Sequence, residues 1–180
     1  MSDINYNRTK RELVYHGVVI DVYQDTMDFG NGKTAIYDYV HHNGAAAVVP
    51  VTDEGKILMV RQYRNALDRM TLEIPAGKLD SPDEEGIECA RRELEEETGF
   101  RSDNIKWLLN LYGAIGYCDE KIQVFTATNL IPSKQNLDED EYIDVEAHSV
   151  EELKNMIFTG QIEDSKTIAG ILGYEVSRKE

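Results

Sequence analysis

The stretch GKLDSPDEEGIECARRELEEETGF, Gly77–Phe100, decides the fold. Ser81, Pro82 and Glu84 have the order of an N-cap, a first helical residue and a third-position glutamate. Gly99 stands where a left-handed residue ends a last turn, so the spacing predicts a single helix bounded on both sides. At ~100° per residue, Ile87, Ala90 and Leu94 form an apolar stripe, and Glu93, Glu96 and Glu97 share the arc beside it. These charges work against the helix. Like-charged pairs three or four residues apart cost ~0.2–0.5 kcal/mol each, and anions in the last turn oppose the helix dipole at ~0.3–1 kcal/mol apiece. A solvated acidic face, partly neutralised by Arg91 and Arg92, is the ordinary outcome of such a run. A divalent cation would turn both penalties into gains, because carboxylate oxygens are its natural ligands. The strand-turn segment LEIPAGKLD just before the helix brings backbone oxygens close, with the Ala76 carbonyl as a further candidate.

Outward from that helix, the N-terminal third reads as β. VYHGVVIDVYQDTMDF (14–29) alternates apolar and polar, FGNGK supplies a two-residue Asn-Gly turn, and TAIYDYVHH (34–42) alternates again, which predicts a hairpin. AAAVVPV (45–51) and KILMVRQYR (56–64), separated by TDEG, read as two paired strands with a buried face. WLLNLYG and KIQVFTATNL read as further strands, followed by the acidic loop SKQNLDEDE and the short strand YIDVEAH. Ser149 and Glu152 form a capping box ahead of VEELKNMIF, with Gly160 placed to end that helix, and a last helix is expected from about Ser165 to Tyr174.

Composition narrows the function. With 180 residues, 41% hydrophobic and 29% charged, the chain is long enough for one globular core. A net charge of −15 argues against a nonspecific grip on nucleic acid or on an anionic membrane, so a phosphate-bearing ligand must be met by a local device. The N-terminus lacks the apolar core of a signal peptide, and the longest apolar stretch, GAAAVVPV (44–51), is far short of the ~20 residues of a spanning helix. The expectation is a cytoplasmic protein whose two cysteines, Cys89 and Cys118, are reduced, inert thiols.

Residues 77–100 resemble the Nudix box: Gly, five residues, Glu, seven residues, then Arg-Glu-aliphatic-any-Glu-Glu-any-Gly-hydrophobic. Arg92, Glu93, Leu94, Glu96, Glu97, Gly99 and Phe100 match the second half without exception. The first half carries one extra residue, since six residues separate Gly77 from Glu84 and Asp83 stands at the strict count. The resemblance implies an α/β protein, an α/β/α sandwich around a mixed sheet, with residues 1–42 as an antiparallel β extension that forms a homodimer and 43–180 as the catalytic domain. It implies Mg²⁺, with Mn²⁺ as a possible substitute, and a small-molecule nucleoside diphosphate cleaved by water. Glu93 and Glu97 become the principal metal ligands and Glu96 a ligand or water-mediated partner. Arg92 becomes the orienting residue, with Glu84 and Gly99 structural and either Asp83 or Glu84 pairing with Arg92.

Beyond the box, the chain is most similar to ADP-ribose pyrophosphatases, through the N-terminal strands, GAAAVVPV, VRQYR, LEIPAG and GAIGYCDEKI. That similarity implies Glu139 as general base and Glu141 as an extra ligand, with Asp138 or Asp140 able to take either role. It makes Arg64 a diphosphate contact, a strand-edge salt bridge being the plain alternative, and places Gly77 toward substrate and Glu73 either toward substrate or behind a residue that touches it. His42 and the N-terminal tyrosines line a purine pocket or simply pack, and Tyr117 stacks on a base or lies at the surface. Ile115 stands where relatives preferring ADP-ribose carry proline. The reaction implied is ADP-ribose to AMP and ribose 5-phosphate. GDP-mannose or another nucleotide sugar, a nucleoside triphosphate, and a non-catalytic ligand sensor are the rivals. The retained box acids argue against the sensor.

Overall fold

The computed structural model describes residues 5–81, 83–137 and 142–179. It divides into two compact units, one made of the chain up to Gly44 with Tyr112–Lys121, the other of Ala45–Leu111 with the chain from Ile122 onward.

In the first unit β1 (Asn7–His16), β2 (Asp21–Asp28) and β3 (Thr34–His41) form an antiparallel meander in the order β1-β2-β3. The alternating run 14–29 is therefore two strands and not one. Gly17 N–H donates to Ile20 O at 2.9 Å and closes a turn whose tip exposes Val18 fully. Val18 and Val19 continue the apolar pattern while standing exposed, which is why alternation alone misplaces them. The second turn is also longer than two residues: Asp28 and Thr34 are the last register pair, and Phe29 N–H reaches Lys33 O across Gly30, Asn31 and Gly32. Arg11 clasps Asp25 with both arms of its fork at 2.7 and 2.6 Å and lies 3.9 Å over the Tyr39 ring. Asp119 gathers the Tyr39 hydroxyl, His41 and the His42 backbone N–H.

The second unit is organised by β4 (Ala45–Pro50), whose six residues are all buried. Ala45, Ala47 and Val49 enter one core with Met59, Ile74, Val124, Leu153 and Ile171. Ala46 and Val48 enter another with Cys89, Ala90, Leu94, Ile105 and Phe125. A strand has a side-chain period of two, so one uninterrupted apolar run fills two cores on opposite faces. Each fully buried valine or leucine contributes ~1.5–3 kcal/mol before conformational entropy is charged against it.

The remaining elements are β5 (Lys56–Arg64), β6 (Arg69–Glu73), β7 (Ala76–Lys78), α1 (Gly86–Thr98), β8 (Phe100–Arg101), β9 (Asn104–Tyr112), β10 (Lys121–Thr128), β11 (Ile131–Pro132), β12 (Asp144–Ser149), α2 (Val150–Phe158) and α3 (Ser165–Ser177). The central sheet has the order β7-β4-β10-β9, with β10 parallel and β7 antiparallel to β4, so it is mixed. β5 does not pair along β4, contrary to the expectation. Both edges of β4 are taken by β7 and β10, and β5 lies between β12 and β6 in another sheet, bridged to the chain just past β4 by the Val51–Ile57 pair.

The start of α1 also differs from the sequence reading. Its N-cap is Glu85, without a side-chain cap, and Ser81 instead accepts the Glu84 N–H in a turn ahead of the helix. Pro82 lies outside the described residues. At the other end Gly99 adopts φ 70°, the left-handed conformation the stop signal requires. The capping box of α2 is present, and α3 is capped by Asp164 and runs to Ser177. Among the described residues no helix is long and apolar enough to cross a membrane.

Candidate active site

Five consecutive residues, Glu73 to Gly77, are each held from another element, β5, α3, β4 or α1. Glu73 receives Arg64 from β5 and Lys166 from α3. Ile74 N–H donates to the buried Thr167 hydroxyl at 3.0 Å. The Pro75 carbonyl accepts from Val48 N–H at 2.9 Å. Ala76 N–H donates to the Glu97 carboxylate at 2.9 Å. Gly77 lies against Glu93, since a Cβ there would stand 1.9 Å from Glu93 Oε1. Only glycine leaves that room. The segment therefore sets two carboxylates of α1, one turn apart, against adjacent backbone positions.

Both acids are buried, Glu93 at 9% and Glu97 at 3% exposure, while Glu96 is half-buried. Ionised carboxylates resist burial unless a cation or several donors answer them. Arg92 is one answer. Its Nη1 lies 2.5 Å from Glu93 and 3.1 Å from Glu96, Nη2 donates to the Lys78 carbonyl at 3.1 Å, and Nε faces Glu84 and Asp80 at 3.4 Å. Burial works against this guanidinium's charge, and the Glu93 carboxylate more than compensates, raising its pKa further. Of the two box acids, Glu84 is the one beside Arg92, and it also accepts the Asp80 N–H at 2.6 Å. One guanidinium thus stands among four carboxylates.

The C-terminal end of α1 is closed by residues the sequence reading passed over. Gln135 Nε2 donates to the Glu97 carbonyl at 2.7 Å and to the Ile143 carbonyl at 3.3 Å, and Asn136 N–H donates to the Glu96 carbonyl at 3.0 Å. Helix-end carbonyls need such partners. The flanks of the acidic loop are thereby tied to the turn that carries Glu96 and Glu97. Residues 138–141, with the candidates Glu139 and Glu141 and their substitutes Asp138 and Asp140, lie outside the described residues.

A divalent ion fits the donor set. The Glu93 carboxylate occupies a cradle that a single methyl group at Gly77 would fill, Glu97 and Glu96 lie one turn and less along the same helix, and hard cations prefer such oxygens. Among the described residues no three His, Cys, Asp or Glu side chains gather closely enough to hold an ion by themselves. The thiol of Cys89, on the same helix, is pushed up to about 12 by burial, which makes it packing and not a nucleophile.

Arg64 and Glu73 form a bidentate pair at 2.8 and 2.7 Å, the salt bridge weighed against a ligand contact from sequence. The pair borders a cavity of about 510 Å³ between the β5–β6 hairpin and the link from α2 to α3. In the first unit a cavity of about 380 Å³ is lined by Tyr6, Tyr37, Tyr39, Ile115 and Tyr117, while His42 packs with its Nδ1 accepting the Gly44 N–H.

A family model for the NUDIX domain matches residues 41–170. The chain belongs to the Nudix family. The ADP-ribose pyrophosphatase of Bacillus subtilis (strain 168) is 39% identical over 95% of this chain and 93% of its own. A methanol dehydrogenase activator of Bacillus methanolicus is 38% identical over 90% and 88%. A GDP-mannose pyrophosphatase of Yersinia enterocolitica is 33% identical over 89% and 86%. A crystal structure titled as an ADP compounds hydrolase superposes with a TM-score of 0.87 over 99% of this chain and 97% of that one, at 22% identity, which establishes the shared fold.

Proposed function

We propose that this Nudix hydrolase cleaves ADP-ribose to AMP and ribose 5-phosphate with the help of Mg²⁺, Mn²⁺ serving in its place. The observation that carries the reading is the seating of Glu93 against Gly77 and of Glu97 on the Ala76 N–H, two buried carboxylates held at one backbone segment. Glu93, Glu97 and Glu96, with the Ala76 carbonyl and Glu141, hold the ion. When bound, it neutralises crowded phosphate oxygens and makes a water nucleophilic near pH 7. Arg92 keeps the carboxylates in place. Arg64 receives the diphosphate, and Glu139 accepts the proton of the attacking water.

The relative most similar among those named, an ADP-ribose pyrophosphatase, supports this substrate over 95% of the chain. A second reading, a nucleotide sugar such as GDP-mannose, is favoured by Ile115 in place of proline and by the GDP-mannose pyrophosphatase relatives. We also read residues 1–42 as a dimerisation extension, 43–180 as the catalytic domain, and the protein as a cytoplasmic homodimer. The exposed Leu13, Tyr15 and Ile36 of the N-terminal strands, with Val18 at the turn between the first two, support pairing with a second copy.

The test is hydrolysis of ADP-ribose in ¹⁸O water with Mg²⁺, beside GDP-mannose and simple nucleoside triphosphates. AMP and ribose 5-phosphate, one of them carrying the label, are expected. Comparable turnover of triphosphates with none of ADP-ribose would remove the proposal, and a preference for GDP-mannose would move it to the second reading.

A further inference from the structure

Arg64 poses a contradiction. It is read as the diphosphate contact, yet two of its N–H groups and its charge are already engaged by the buried carboxylate of Glu73. A guanidinium has five N–H groups, so Nε and one Nη2 hydrogen on Glu73 leave three for a ligand. The charge is the harder matter, because a carboxylate answered by one arginine forms a neutral pair with little hold on an anion.

Lys166 resolves it. Its Nζ lies 2.5 Å from Glu73 Oε2, the same oxygen that Arg64 Nη2 reaches at 2.7 Å. Thr71 Oγ1 stands 2.7 Å from the other oxygen. Glu73 therefore divides one negative charge between two cations. Lys166 also meets Asp164 at 3.1 Å, but that carboxylate caps α3 through the Thr167 N–H at 2.9 Å and is more open to water. Its charge is spent partly on the helix N-terminus and partly on solvent. Lys166 itself is only 13% exposed and is fixed from the next residue along, where Thr167 is bonded to Ile74.

Building on the diphosphate reading of Arg64, we infer that Lys166 is a positioning residue for substrate binding: through Glu73 it keeps the charge and the outer N–H groups of Arg64 available to a diphosphate. The role belongs to the first turn of α3, about ninety residues away in sequence from the strand it acts on.

The experiment measures ADP binding by calorimetry in the presence of EDTA, and KM and kcat for ADP-ribose with Mg²⁺, in wild type, Lys166→Gln, Lys166→Arg, Arg64→Ala and the Arg64→Ala/Lys166→Gln pair. Glutamine removes the charge and, though one atom shorter, can still offer an N–H toward the buried Glu73; a melting curve checks that the fold is retained. Lys166→Gln is expected to weaken ADP binding and raise KM on the order of tenfold with kcat within about twofold, and Lys166→Arg to restore most of the loss. In the Arg64→Ala background the same change should add less than about twofold. Equal weakening in both backgrounds, or none in the wild-type background while Arg64→Ala weakens binding, would overturn the inference alone. Unchanged ADP binding in Arg64→Ala would overturn the diphosphate reading of Arg64, and this inference with it. ADP carries the diphosphate whichever sugar is the substrate, so a failure of the ADP-ribose assignment shows separately, as absent turnover beside intact coupling.

Discussion

Glu73 and the acids around Arg92 are balanced in opposite directions. Glu73, 2% exposed, meets Arg64 and Lys166, two cations for one carboxylate. Burial pushes its carboxyl up, yet the hydrogen bonds from Arg64 and the charge of Lys166 hold it at about 2. Around Arg92 the ratio inverts, with Glu84, Glu93, Glu96 and Asp80 facing one guanidinium. The first arrangement is closed and fastens α3 to the strand before the site. The second gathers four carboxylates around one guanidinium, an acidic setting of the kind that suits the divalent ions Nudix hydrolases generally use.

The contrast breaks most visibly at Glu97. Glu97→Gln should lower turnover a hundredfold or more while the melting temperature in the absence of Mg²⁺ stays near that of wild type, and should abolish any rise in melting temperature when Mg²⁺ is added. Full turnover in this variant would mean that the acidic helix is only a solvated face. Glu73 gives the complementary effect, on stability. Its pKa is depressed in the folded state, so its contribution is fully present above about 4.5 and is lost as pH falls from there toward about 2. Melting curves across that window should show a loss on the order of 2 kcal/mol in wild type, and a shallower slope in Glu73→Gln. The same slope in both would show the pair to be no more than a surface contact. A smaller effect tests the tie between α3 and the same strand. Thr167→Val leaves the buried Ile74 N–H without its acceptor and should cost ~1–3 kcal/mol, read as a drop of several degrees in melting temperature.

Legibility in the sequence followed the range of the interactions. The end of α1 at Gly99 and the capping box at Ser149 depend on residues within one turn, and both stand where local spacing put them. The start of α1 failed for the opposite reason. Ser81 has the right chemistry, but Glu84 is drawn off to Asp80 N–H and Arg92, and the helix begins only at Gly86. Strand pairing was the least readable feature. Nothing near Val51 reveals that both edges of β4 will be filled by segments far along the chain. In the site, the box residues announced themselves by type and spacing, whereas Lys166, Thr167 and Gln135 reach it from remote elements with no local signal. A lysine opening a helix is commonplace until the carboxylate it meets, 93 residues earlier, is known.

The run from Glu73 to Gly77 has a bearing on how such an enzyme can change. Of these five neighbours, Glu73 and Gly77 leave mutation almost no slack, since one must answer Arg64 and Lys166 and the other must leave room for Glu93, while Ile74, Pro75 and Ala76 are tied through backbone groups that most replacements keep. Novelty in what the enzyme recognises should therefore arise on the outer tips, such as the hairpin between β5 and β6, where Ala66, Leu67 and Met70 border the larger cavity without anchoring the frame.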